Sequence, residues 1–151
     1  RGFRALSATL DAGNAHLAAE LLGIAQESFD RTLQYMKERK QFGALIGSFQ
    51  ALQHRTAHWW SEVELCKSVV LKIMQSLDEG DVKSPALASI AKAKLCEVVE
   101  LSTNEAIQIH GGIGMTDEYE IGFFIKRARP AQMLYGDYNY HANRFALISG
   151  Y

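Results

Sequence analysis

Apolar residues recur every three or four positions over most of this chain, and strict two-residue alternation is almost absent. That period predicts helices rather than strands. The cleanest run is Phe49, Leu52, Thr56, Trp59, Val63, Cys66, Val70, Ile73 and Leu77, a heptad seam suited to a helix packed at about +20° against its neighbours. Only Thr56 is polar, and its methyl still packs. Trp60, His54 and His58 fall off the seam. An earlier helix carries Leu17, Leu21, Ala25, Phe29, Leu33 and Met36 on one face. Residues 1–13 are expected to be helical as well, with Gly13 and Asn14 a weak point. This helix fades into Lys37-Glu38-Arg39-Lys40 and breaks at Gly43 and Gly47. Ser48 is the expected N-cap of the next helix.

Gly80 closes the second helix, and Ser84-Pro85 opens a third, with Ser as N-cap and Pro at the first helical position. Leu87, Ala91, Leu95, Val98, Ser102, Ala106 and Ile109 form its apolar face. It runs into Gly111, Gly112 and Gly114. Asp117 and Glu120 resemble a capping box for a fourth, shorter helix that ends at Pro130. Met133 to Asp137 is a turn before a last helix carrying Tyr138, Ala142, Phe145 and Ile148. The expected fold is all-α: an up-down four-helix bundle with long helices and short C-terminal helices, in one domain over residues 1–151.

Composition narrows the functional classes. Hydrophobic residues are 48%, charged residues 22%, and the net charge is −1. Nothing here favours nucleic acid or an anionic membrane. No apolar run approaches the roughly 20 residues needed to cross a bilayer. Cys66 and Cys96 belong to no CxxC pair, and both lie in helical patterns. Buried free thiols in a reducing compartment, hence the cytoplasm, are the expectation. No signal-peptide pattern is visible, and Arg1 in place of a methionine points to a piece of a longer protein.

Candidate chemistry is sparse. His54 and His58 lack a third ligand at sensible spacing, so no metal site is expected and a solvated pair is the plain reading. There is no nucleophile elbow, P-loop or Rossmann fingerprint. Asp78-Glu79 and Asp117-Glu118 read as helix-end charge. The glycines at 111, 112 and 114 form either a plain loop or a turn that lets another group approach the backbone. Arg39 beside Phe42 at a glycine break pairs a guanidinium with an exposed ring, which suits a phosphate and a stacked ring or simply a surface loop.

Taken together, these stretches carry a resemblance. Glu38-Arg39-Lys40-Gln41-Phe42-Gly43, then Ile46-Gly47-Ser48-Phe49-Gln50, then Ala106 to Gly114 with Arg127 following, resemble the C-terminal helical domain of the acyl-CoA dehydrogenases. The likeness covers essentially the whole chain but not that family's N-terminal helical and middle β domains. It implies a flavoenzyme that oxidises the α,β bond of an acyl-CoA, giving a proton to a carboxylate and a hydride to FAD. It implies that Arg39, Phe42, Phe49, Gln50, Gln108, Gly111 and Gly112 contact FAD, held mainly by a neighbouring subunit of a dimer or tetramer. Electron-transfer flavoprotein is the partner it suggests for reoxidation.

Two departures accompany the likeness. The family's Y-E-G turn reads Tyr135-Gly136-Asp137 here, so Gly136 stands where the glutamate base is usual. The alternative base position, shortly after Asp11 on the first helix, is Gly13, and a frequent arginine near the CoA is Asn14. Asp11 and Asn14 are therefore the substrate-side candidates. Asp137 is either a displaced base or the N-cap of the last helix. If it is only a cap, a glutamate at 136 is expected to show a vacant base position. Three functions follow: an active dehydrogenase, a non-catalytic partner subunit that completes a FAD site in a hetero-oligomer, or a flavin monooxygenase or oxidase of the same fold.

Overall fold

The computed structural model describes residues 2–151 and is all-α apart from one small hairpin. Helix α1 spans Gly2–Glu38, and strands β1 (Lys40–Gln41) and β2 (Ala44–Leu45) form the hairpin. Helices α2 (Gln50–Glu79), α3 (Ser84–His110), α4 (Ile121–Met133) and α5 (Tyr138–Ile148) follow. Short connections force α1, α2 and α3 to run up, down and up. Helix α4 lies antiparallel to α1, fixed by Arg31–Glu120 and Arg127–Glu20, both at 2.6 Å. Arg55–Glu105 at 2.7 Å and Lys94–Glu62 at 2.6 Å mark the antiparallel register of α2 and α3. Such exposed pairs add roughly 0–1 kcal/mol each, so they set register more than stability. Helix α5 packs on α3.

The core lies where the seams of α1, α2 and α3 meet. Trp59 is fully buried, its ring edge-on to Phe29 at 5.0 Å. Ser102, a member of the α3 apolar face, takes the indole N–H at 2.7 Å, so the buried donor is satisfied. Cys66 and Cys96 are buried and free. Burial pushes the Cys66 thiol up to about 12 and raises Cys96 as well, which keeps both unreactive.

Several boundaries differ from the sequence expectation, each for a local reason. Gly13 and Asn14 do not weaken α1, because the helix is continuous and Asn14 is buried within it. Ser48 is not the cap of α2: its hydroxyl donates back to Leu45 O at 2.7 Å, and Phe49 takes the cap position. Ser84 is the first residue of α3 rather than its cap, and its hydroxyl binds Asp81 O and Ser76 Oγ at 2.7 and 2.8 Å. The capping box at Asp117 does not form. Glu120 is drawn to Arg31, Asp117 lies 3.5 Å from Lys126, and α4 starts only at Ile121. Pro130 does not end α4. Buried Ala131 and Gln132 hold one more turn in place, with Gln132 Nε2 donating to Cys96 O at 2.8 Å.

Candidate functional site

The hairpin is the first part of the site. Arg39 ends α1 through its N–H to Tyr35 O at 2.9 Å, and its own carbonyl accepts from Ile46 N at 2.8 Å. Between the strands only Phe42 and Gly43 remain, with φ of 53° and 79°. Two successive left-handed residues make a tight hairpin turn of the primed kind, where glycine is at ease and phenylalanine is strained. Phe42 is also 93% exposed, with its ring 6.3 Å from that of Phe49. A strained, exposed aromatic points to a function beyond folding. Gly47 lets the following turn lie against α1, since a Cβ there would come within 2.9 Å of Met36 O.

The end of α3 supplies the second part. Gly111 has φ of 66°, and neither it nor Gly112 has any atom where a Cβ would point. Gly114 serves a different purpose. A Cβ there would meet His110 Cβ at 3.0 Å and Ile107 O at 3.1 Å, so that glycine is needed for packing. Among the three glycines, two leave open space and one closes the turn on its helix.

His110 lies between these parts. Its Nδ1 is 2.7 Å from Ala106 O, which assigns the proton to Nδ1 and leaves Nε2 as an acceptor. That Nε2 is buried and has no partner among the described residues. The ring stacks on Tyr35 at 4.3 Å, and burial lowers its pKa, so the imidazole is neutral at physiological pH.

Arg39, Phe42, Phe49, Gln108, Gly111 and Gly112 line one cavity of about 490 Å³. Gln50 begins α2 beside it but is not part of the wall. Tyr35, Arg55 and His110 also line it, and the sequence reading did not select them. Arg55 shows no sequence signal apart from its place one turn into α2. His110 lies within the Ala106 to Gly114 stretch, where the glycines carry the signal. Arg39 makes no ion pair among the described residues, whereas Arg55 is held by Glu105. The set fits a dinucleotide: a free guanidinium for phosphate, aromatic faces for rings, and bare glycine backbone for close approach.

The substrate-side candidates lie elsewhere. Asp11 and Asn14 line a separate cavity of about 190 Å³ with Tyr135, Tyr140 and Arg144. Asp11 is buried, with Oδ1 2.7 Å from Arg144 Nη2, off the hydrogen-bond axis and so an ion pair first. Arg144 also donates to Ser89 Oγ at 2.9 Å and Pro85 O at 3.2 Å. Asn14 Nδ2 donates to Leu10 O at 3.0 Å, and its Oδ1 is buried without a partner among the described residues. Asp137 lines neither cavity. Its Oδ1 accepts Tyr140 N–H at 2.9 Å, the geometry of an N-cap. Position 136 is crowded. Gly136 has φ of 110°, and a Cβ there would overlap the Tyr140 ring, with Cε1 and Cγ at 3.0 Å.

Comparison with known proteins places the chain. The model of the acyl-CoA dehydrogenase C-terminal domain matches residues 1–147. The chain belongs to the acyl-CoA dehydrogenase family. A probable acyl-CoA dehydrogenase of Bacillus subtilis, YngJ, is 40% identical over 131 residues, which are 85% of this chain and 34% of that protein. The mitochondrial short/branched chain specific acyl-CoA dehydrogenase of Bos taurus is 33% identical over 147 residues, 96% of this chain and 33% of that protein. The solved butyryl-CoA dehydrogenase of Megasphaera elsdenii superposes with a TM-score of 0.94 at 30% identity, over 98% of this chain and 38% of that one. The chain thus spans about a third of the curated relatives' length.

As an acyl-CoA dehydrogenase C-terminal domain, the chain has the family's fold, with the bundle expected from sequence. No helix is long and apolar enough to cross a membrane, and no cluster of three or more metal-ligating side chains occurs among the described residues.

Proposed function

We propose that this chain is the C-terminal part of an FAD-dependent acyl-CoA dehydrogenase, contributing to FAD binding, acyl-CoA α,β-dehydrogenation and oligomerisation. The observation that carries the reading is the convergence of Arg39, Phe42, Phe49, Gln108, Gly111 and Gly112 on one cavity from three separate stretches of sequence. FAD, when bound, supplies the acceptor for the β hydride. Arg39 would hold a phosphate, Phe42 would lie against a ring, and Gly111 and Gly112 would leave room for the dinucleotide at the backbone. His110 Nε2 would accept a hydrogen bond within the same cavity. Gln50 would contact the cofactor from the first turn of α2.

Oligomerisation rests on apolar surface. Trp60 is 52% exposed, and Leu65 and Leu71 on the same helix are exposed as well. Exposed apolar surface of this kind suits a second subunit, and a homodimer or homotetramer is the simplest arrangement. The acyl-CoA would meet Asp11 and Asn14 at the other cavity, and electron-transfer flavoprotein is the proposed electron acceptor. The cytoplasmic location rests on the two unpaired thiols.

A second reading, a non-catalytic subunit that completes a FAD site for a partner, is favoured by Asp137 acting as a cap. The test is to purify the full-length protein and record its flavin content and the bleaching of that flavin by acyl-CoA. Bound FAD bleached by acyl-CoA alone supports the dehydrogenase. Bleaching only with a second chain supports the partner subunit. A full-length protein without FAD in either case would overturn both.

A further inference from the structure

We propose that Arg55, held by Glu105, is a second phosphate-binding residue of the cavity, so that two guanidiniums, Arg39 and Arg55, receive the two phosphates of a dinucleotide. This rests on the FAD reading given above and adds a residue outside the motifs that carry it. Phe49, Leu52 and Arg55 follow at three-residue intervals along one face of α2, and all three line the cavity. Arg39 reaches the same cavity from the end of α1. The two cations therefore come from different walls.

Glu105 does not use up the guanidinium. Arg55 Nε donates to Glu105 Oε2 at 2.8 Å, and Nη2 lies 2.7 Å from the same oxygen. That contact occupies one edge of the planar fork. Nη1 has no partner among the described residues, and the Arg55 side chain is 41% exposed. Arginine carries five N–H donors, so a carboxylate on one edge leaves a second edge for phosphate oxygens. Glu105 is half-buried and lies one turn before Gln108, itself part of the wall. The ion pair thus fixes the guanidinium against α3 and removes rotamer freedom that binding would otherwise have to remove.

The charge of the cavity agrees. Among the described residues that line it there is no carboxylate, and the His110 ring is neutral. Arg39 and Arg55 are its only charged side chains, so the wall is positive. Each phosphate of a dinucleotide carries a negative charge. With Arg39 alone, one of the two would enter without a cation of its own, which is costly where water is partly excluded.

The test titrates FAD into the full-length protein stripped of flavin, by calorimetry at low and high salt, beside the melting temperature of the flavin-free protein. Arg55→Gln is expected to weaken FAD about tenfold or more, as loss of a charge-assisted hydrogen bond does. It should also bind FAD with less salt dependence than the wild type, because one ionic contact is gone. Glu105→Gln leaves the guanidinium its charge and an acceptor, and should stay within about threefold of the wild type. Melting temperatures should stay within about 4 °C, as an exposed pair allows. Equal losses of FAD in Arg55→Gln and Glu105→Gln would reduce Arg55 to a partner of Glu105. Unchanged affinity or unchanged salt dependence in Arg55→Gln would overturn the inference and leave the FAD reading intact. Should Arg55→Gln fail to fold, Arg55→Lys carries the test: it keeps a cation for Glu105 but lacks the second edge, so about fivefold weaker FAD is expected and wild-type affinity overturns the inference. A wild-type protein that binds no FAD would instead sink the FAD reading, and the inference with it.

Discussion

The two ends of α1 solve opposite problems. Asp11 and Arg39 are about 40 Å apart along the helix axis. At the Arg39 end the polar and aromatic groups are left open: a guanidinium without an ion pair among the described residues, a phenylalanine strained and 93% exposed, and glycines facing empty space. At the Asp11 end nearly everything is already paired: Asp11 with Arg144, the turn carbonyls with Lys92 and His141, and both glycines beneath tyrosine rings. The first end leaves its groups open, as the proposed FAD contact requires. The second is finished by the chain itself. Mutations at the first end should therefore alter binding and leave stability alone, while those at the second should alter stability strongly.

The largest effect is expected from Gly136→Glu. It combines an unfavourable φ with overlap of the Tyr140 ring, roughly 1–3 kcal/mol for each. We expect a fall in melting temperature of about 5 °C or more and no gain of acyl-CoA-dependent flavin reduction. A stable variant with new activity would show that this end is not closed after all.

Lys92→Met comes next. It leaves Gln132 O and Gly136 O without their charged donor in a buried site, so denaturant unfolding should show a loss of about 2–4 kcal/mol. Hydrogen exchange should rise over 132–137 and stay unchanged at the hairpin. Equal loosening at both ends would erase the contrast.

Acid should act through His141. Burial, with Lys92 nearby, lowers its pKa to about 4, against an ordinary value near 6.5. The unfolded chain then binds the proton first as pH falls. The stability contributed by the neutral ring is complete above about 6.5 and lost progressively as pH drops towards 4. Melting curves over that window should show the decline, and His141→Gln should flatten it.

The smallest effect sharpens the comparison by its sign. Phe42→Gly removes a left-handed, exposed phenylalanine, so the domain should be unchanged or stabilised by up to about 1 kcal/mol. FAD retention in the full-length protein should fall at the same time. A destabilised hairpin in calorimetry would mean that Phe42 serves the fold.

The fold was readable because the α2 and α3 seams keep one period over many turns, and period survives ignorance of neighbours. Boundaries were less readable. Glu120 caps nothing because Arg31, far away in sequence, binds it. The hairpin went unseen because strands of two residues carry no alternation. The open end was legible because exposed arginine, phenylalanine and glycine at a helix break form a compact motif. The closed end was not. Lys92 looks like a surface lysine beside the α3 seam, and only the arrival of the Gly136 turn makes it a buried clamp. The crowding at Gly136 was hidden for the same reason, since Tyr140 covers it only after α5 has formed.

The central claim is that the Arg39 end serves FAD. The most direct measurement is flavin occupancy of full-length Arg39→Ala after dilution and dialysis, beside its melting temperature without flavin. Loss of a charged hydrogen bond of roughly 1.5–3 kcal/mol predicts FAD held about ten- to hundredfold more weakly, with the melting temperature of the flavin-free protein unchanged. Full occupancy after dialysis would contradict the account.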